Sequence, residues 1–137
     1  MVEFTKQEVI RFGHCDVAGM VFYPRFFEMT NALIEDWFAE ALTCDFRQVH
    51  LDRRLGIPVV RLETDFIKPS MLGDRLVWTL RVTALGTASF TVEAVLADPD
   101  GPRLRARLTL VCISVDTHKP TPIPPDLRQK IELFYSA

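Results

Sequence analysis

One stretch of helical periodicity is followed by four stretches of alternation, and that order restricts the folds open to this chain more than any other feature. From Pro24 to about Leu42, Phe26, Met29, Leu33, Trp37 and Ala41 recur at intervals of three and four, and Ile34 and Phe38 widen the stripe. Pro24 suits the first helical turn, where a missing N–H costs nothing. Glu28, Asn31 and Glu35 are left to face water. So broad an apolar arc predicts a helix enclosed over most of its circumference.

The alternation begins in "VVRLETDFIKP", where Val60, Leu62, Thr64 and Phe66 share one face and Arg61, Glu63 and Asp65 the other. "RLVWTLRVTA", "SFTVEAVLA" and "RLRARLTLVCISV" repeat it. The short connections "LGTAS" and "DPDGPR" read as hairpin turns. A further strand is expected in "FTKQEVIRF", ended by Gly13, and a terminal helix in "DLRQKIELF", begun by Asp126 after a proline-rich stretch. Strands joined by short hairpins are antiparallel neighbours, and a buried helix must cover their apolar face. The expected class is therefore α+β, an antiparallel sheet wrapped around one long helix. The 137 residues fit one domain, 1–137.

Composition removes several function classes. A net charge of −2 gives no electrostatic reason to expect nucleic acid or an anionic membrane as partner. No apolar run approaches the ~20 residues of a spanning helix, and "MVEFTKQEVIRF" lacks the apolar centre of a signal peptide. Cys15, Cys44 and Cys112 are odd in number and irregularly spaced, which fits reduced thiols in a cytoplasmic protein. The cysteines and histidines form no zinc signature, and there is no nucleophile elbow, P-loop or dinucleotide fingerprint. Neither a metal nor an organic cofactor is expected.

The chemistry concentrates in "RFGHCDVAGMVFYP", residues 11–24. Asp16 lies in a loop just ahead of the long helix, whose first turn offers unpaired N–H groups and the positive end of the dipole. Such a terminus can hold a carboxylate or an oxyanion formed on a bound carbonyl. Asp16 is equally suited to bracing its loop, and from the residues alone both roles stand. His14 reads as a local hydrogen-bonding residue, and Cys15 has no identifiable base to activate it. Arg103, Arg105 and Arg107 form an alternating basic stripe, either a solvated strand face or a receiver of phosphates.

"FGHCDVAGMVFYP", the aromatic-rich helix after it, "GIPVVRLETDFIKPSMLGDRL" and the terminal "IPPDLRQKIE" together resemble the hotdog-fold acyl-CoA thioesterases, closest to their 4-hydroxybenzoyl-CoA thioesterase branch. The resemblance covers nearly the whole chain. It implies hydrolysis of an acyl-CoA thioester to the free acid and CoA, without cofactor, by a homodimer or homotetramer with sites between subunits. It places the catalytic Asp on Asp16 and the oxyanion-stabilising backbone N–H on Tyr23. The best-known member also carries a basic cluster between its third and fourth strands that holds CoA phosphates. The matching stretch here, "ALGTASF", has no Arg or Lys, so Arg103, Arg105 and Arg107 are expected to take that part. Two rivals are a non-catalytic acyl-CoA-binding or regulatory protein and a hotdog hydratase or dehydratase. The latter families pair an Asp with a His five residues later, where this chain has Val21.

Overall fold

The structure, a computed structural model, describes residues 2–136. Strand β1 (Phe4–Val9) precedes helix α1 (Pro24–Glu40), and a short β2 (Leu55–Gly56) leads into β3 (Val59–Phe66). Strands β4 (Arg75–Leu85), β5 (Ser89–Asp98) and β6 (Gly101–Val111) follow as hairpins, then β7 (Ile113–Ser114) and helix α2 (Pro125–Glu132). Five strands form one sheet in the order β1-β4-β5-β6-β3, every pair antiparallel. The small strands β2 and β7 pair separately.

The alternation sets which face is buried. Leu76, Trp78, Leu80 and Val82 of β4, Phe90, Val92, Ala94 and Leu96 of β5, and Leu104, Ala106, Leu108 and Leu110 of β6 are all buried on one face. Against them α1 buries Phe26, Met29, Leu33, Ile34, Trp37 and Phe38. Trp37 and Phe38 of the helix lie 6.1 and 6.4 Å, ring centre to ring centre, from Phe90 of the sheet. Glu28, Asn31 and Glu35 are exposed, so the stripe and its solvent face lie as the periodicity predicts. This is an antiparallel sheet curled around one long helix, the hotdog arrangement. Among the described residues no helix is long and apolar enough to cross a membrane.

Some boundaries differ. The first strand stops at Val9, because Ile10 turns inward and donates its N–H to Asp74 O, and Phe12–His14 form a 3-10 turn instead of extended chain. The long helix ends at Glu40. Leu42 then donates to Trp37 O, and Thr43 takes a left-handed φ of 52°. The terminal helix starts one residue early, at Pro125, leaving Asp126 in its first turn. In β3 a register shift between Val59 and Arg61 makes Val60 an extra residue, so Leu62, Thr64 and Phe66 alone keep the predicted face. That strand is one of the sheet's two edges, and except for the half-buried Thr64 it is exposed along its whole length.

Candidate active site

The loop ahead of α1 is a small closed turn. Cys15 and Val21 pair as an antiparallel bridge, Asp16 N–H donates to Met20 O at 2.9 Å, and Gly19 N–H donates to Asp16 O at 3.0 Å. Gly19 has a φ of 78°, a conformation that L side chains rarely adopt, which explains a glycine there. The Asp16 carboxylate takes part through one oxygen, Oδ1, which accepts the Ala18 N–H at 2.9 Å. The loop is laced to a second one: Val21 N–H donates to Ser70 O, Leu72 N–H to Gly19 O, and Met20 bridges Met71. Asp16 therefore braces its turn, and its side chain is still exposed for chemistry.

His14 Nδ1 accepts the Arg11 N–H, and its carbonyl accepts the Phe22 N–H. The latter bond delivers the chain to Tyr23, the residue before α1. Pro24 has no N–H, so Tyr23 carries the last amide before the helix; among the described residues that amide has no acceptor. Tyr23 borders a cleft of about 290 Å³ with Met20, Val21, Phe26, Phe66, Lys68 and Ser70 among its walls. Asp16 is not a wall residue. It stands on the loop whose far end, Met20 and Val21, is. Around it Phe12, Val17, Phe22 and Tyr23 are exposed apolar groups, with Val17 wholly in solvent.

A second hollow, of about 200 Å³, opens between α1 and β3 and is lined by Phe27, Ile34, Val59, Leu62 and Leu110 among others. An aromatic cluster divides the two. The Phe66 ring lies 6.0–6.4 Å from those of Tyr23, Phe26 and Phe27, mostly edge to face.

The three arginines do not form one stripe. Arg103 is the extra residue at a second register shift, where Leu104 faces Leu96 and Pro102 faces Ala97. Its guanidinium donates to Asp74 (2.9 Å), Asp98 (2.6 Å) and Pro69 O (2.9 Å) and is largely shielded from water. The Asp98 carboxyl is held below its usual range first by Arg103. For Asp74 the larger cause is the Met71 N–H, with Arg103 adding to it. Arg103 is thus a clamp on the 69–74 loop. Arg105 and Arg107 alternate with the buried Leu104, Ala106 and Leu108 and are exposed on the outer, convex face. There Arg107 and Arg61 border a polar groove of about 370 Å³. The sequence reasoning passed over Ser70 and Lys68 as wall residues. Neither belongs to a periodic pattern, and "KPSM" reads simply as the end of a strand.

A sheet wrapped around a helix, with a loop carboxylate and an unpaired amide at that helix's start, defines a hotdog-fold protein. The model of the thioesterase-like superfamily matches residues 10–131, and the chain belongs to that superfamily. It is 31% identical over 134 residues to a 1,4-dihydroxy-2-naphthoyl-CoA hydrolase of Synechococcus elongatus, covering 97% of this chain and 98% of the relative. Among solved structures, a thioesterase superfamily protein of Jannaschia sp. superposes with a TM-score of 0.89 at 27% identity, over 98% of this chain and 94% of that one. A 1,4-dihydroxy-2-naphthoyl-CoA thioesterase of Synechocystis shares the fold at a TM-score of 0.85 and 24% identity, over 95% and 96% of the two chains.

Proposed function

We propose that this protein hydrolyses an acyl-CoA thioester to the free carboxylic acid and CoA, with Asp16 and the Tyr23 N–H as its catalytic groups. The observation that carries the reading is the unpaired Tyr23 amide on a cleft whose bordering loop presents Asp16. A thioester carbonyl lying against that amide has its developing negative charge met by an N–H and the helix dipole. Asp16 then either adds to the carbonyl carbon, forming an anhydride that water opens, or takes a proton from the water that attacks. In both routes the C–S bond breaks, CoA leaves as thiolate and is protonated, and water attacking the substrate's acyl carbon, directly or at the anhydride, gives the acid its new oxygen. Nothing in these steps calls for a metal or an organic cofactor.

The aromatic walls of the cleft support an aryl acyl group, which makes 1,4-dihydroxy-2-naphthoyl-CoA, named for the relatives, the first substrate to try. Arg105 and Arg107 are proposed to receive the CoA phosphates, and Arg103, committed to two carboxylates, drops out of that role. A homodimer or homotetramer completes the site, a reading supported by the uncovered apolar groups of β3 and around Asp16. Three free thiols support a cytoplasmic setting. The test is thiol release across a panel of aryl and alkyl acyl-CoAs. Release with at least one member is expected. Tight binding without release from any would replace the enzyme by a non-catalytic acyl-CoA binder.

A further inference from the structure

Three buried side-chain polar atoms lack a hydrogen-bond partner among the described residues: Trp37 Nε1, Thr64 Oγ1 and Ser70 Oγ. Of these, only Ser70 lines the cleft that holds Tyr23. Ser70 is 1% exposed, and Thr30 is the only other buried polar or charged residue among those described. The Thr30 hydroxyl is satisfied, donating to Phe27 O. A hydroxyl left unpaired in the interior destabilises the chain and calls for a reason. Its position is firmly held: Ser70 O accepts the Val21 N–H, and the neighbouring Pro69 O and Met71 N–H are bound by Arg103 and Asp74. Two residues that line one cleft, Ser70 and Tyr23, thus each carry a donor without an acceptor among the described residues.

Resting on the thioesterase reading, we infer that Ser70 is a substrate-binding residue whose hydroxyl donates to the acyl carbonyl oxygen as a second donor beside the Tyr23 N–H. The Val21–Ser70 bond makes this a single assembly, because it ties the loop bearing Asp16 to the loop bearing the hydroxyl. The Arg103 clamp, far from the reacting atoms in sequence, fixes the same loop.

Ser70→Ala separates this role from a structural one. Deleting a hydroxyl that has no partner in the free protein leaves the melting temperature unchanged or raises it. Deleting an oxyanion donor lowers kcat by about 10²-fold with little change in KM. A variant within twofold of wild-type kcat, or one whose lost activity tracks a lowered melting temperature, overturns the assignment while the thioesterase reading stands. Binding provides a measurement independent of turnover. A ketone analogue, with CH2 in place of the thioester sulfur, keeps the carbonyl; an alkyl thioether of CoA lacks it. Ser70→Ala is expected to bind the ketone about tenfold more weakly and the thioether as wild type does. Equal ketone affinity, or no ketone binding by wild type, overturns the inference. A wild type that binds the ketone yet releases no thiol from any acyl-CoA overturns the hydrolase reading instead.

Discussion

At the scale of single residues, the geometry of Asp16 leaves room for both roles that the sequence presents as alternatives. Its Oδ1 closes the turn on Ala18, and the exposed remainder of the carboxylate is available to a substrate. Asp16→Asn is therefore a clean probe, since an amide oxygen can still accept the Ala18 N–H while the charge is gone. Turnover is expected to drop by about 10²-fold or more with binding retained. Near-wild-type rates in a folded variant would remove Asp16 from the mechanism. The arginines divide in the same way. Arg103→Ala strips the partner from Asp74 and Asp98 and is expected to lower the melting temperature. Neutralising Arg105 and Arg107 together should leave the melting temperature in place and raise KM for CoA esters, but not for pantetheine esters lacking the nucleotide phosphates. Equal KM changes for both esters would leave the pair a solvated strand face.

At the scale of elements, the parts written in periodicity and in hairpin turns were legible, and the contacts between distant loops were not. The stripe from Phe26 to Phe38 and the alternation in β4, β5 and β6 specify their own buried faces, so helix, strands and hairpins follow directly. The loop bearing Asp16 was singled out through its residue types. Its closure on residues 70–72 was not, because backbone hydrogen bonds between distant loops leave no pattern in either segment. The helical turn at Gln48–Asp52 was likewise missed, being too short to show a period. That region is held by Arg53, which makes two hydrogen bonds to Asp126 in the first turn of α2, at 2.9 and 2.5 Å. The hydrogen-bonded Arg53 guanidinium holds the Asp126 carboxyl down at about 2. Its unfolded value is about 3.9. Between these values the unfolded chain binds a proton that the folded chain refuses. The stabilisation is present above about pH 4 and is lost as pH falls toward 2. Asp74 and Asp98 are shifted in the same direction and add to that loss. Melting temperature should fall across this window, and Asp126→Asn should flatten part of the slope. A variant as acid-sensitive as wild type would make the Arg53 pair irrelevant to acid stability.

At the scale of the whole molecule, a single chain leaves its sheet with two edge strands, β1 and β3. Strand β3 is bonded to β6 on one flank, and among the described residues its other flank pairs with no strand. Val60 is 60% and Phe66 53% exposed, and the open edge continues toward Tyr23, also 60% exposed, at the mouth of the cleft. An uncapped edge strand with apolar side chains invites further pairing, and two-fold pairing with a second copy satisfies backbone and side chains together. Such pairing would bring a second chain to the walls of both hollows, since Phe66 lines one and Leu62 the other. Val60→Lys is the sharpest probe of this arrangement. Val60 is the extra residue at the β3 register shift and lines neither hollow, so a charge there burdens the edge without altering the walls. The wild type is expected to sediment as a dimer or tetramer, and Val60→Lys to shift toward monomer with its circular dichroism unchanged. Activity should fall with the oligomer fraction and recover as protein concentration is raised. A monomeric Val60→Lys with full activity would confine the site to one chain, and a wild type that is monomeric at micromolar concentration would leave the open edge without its proposed occupant.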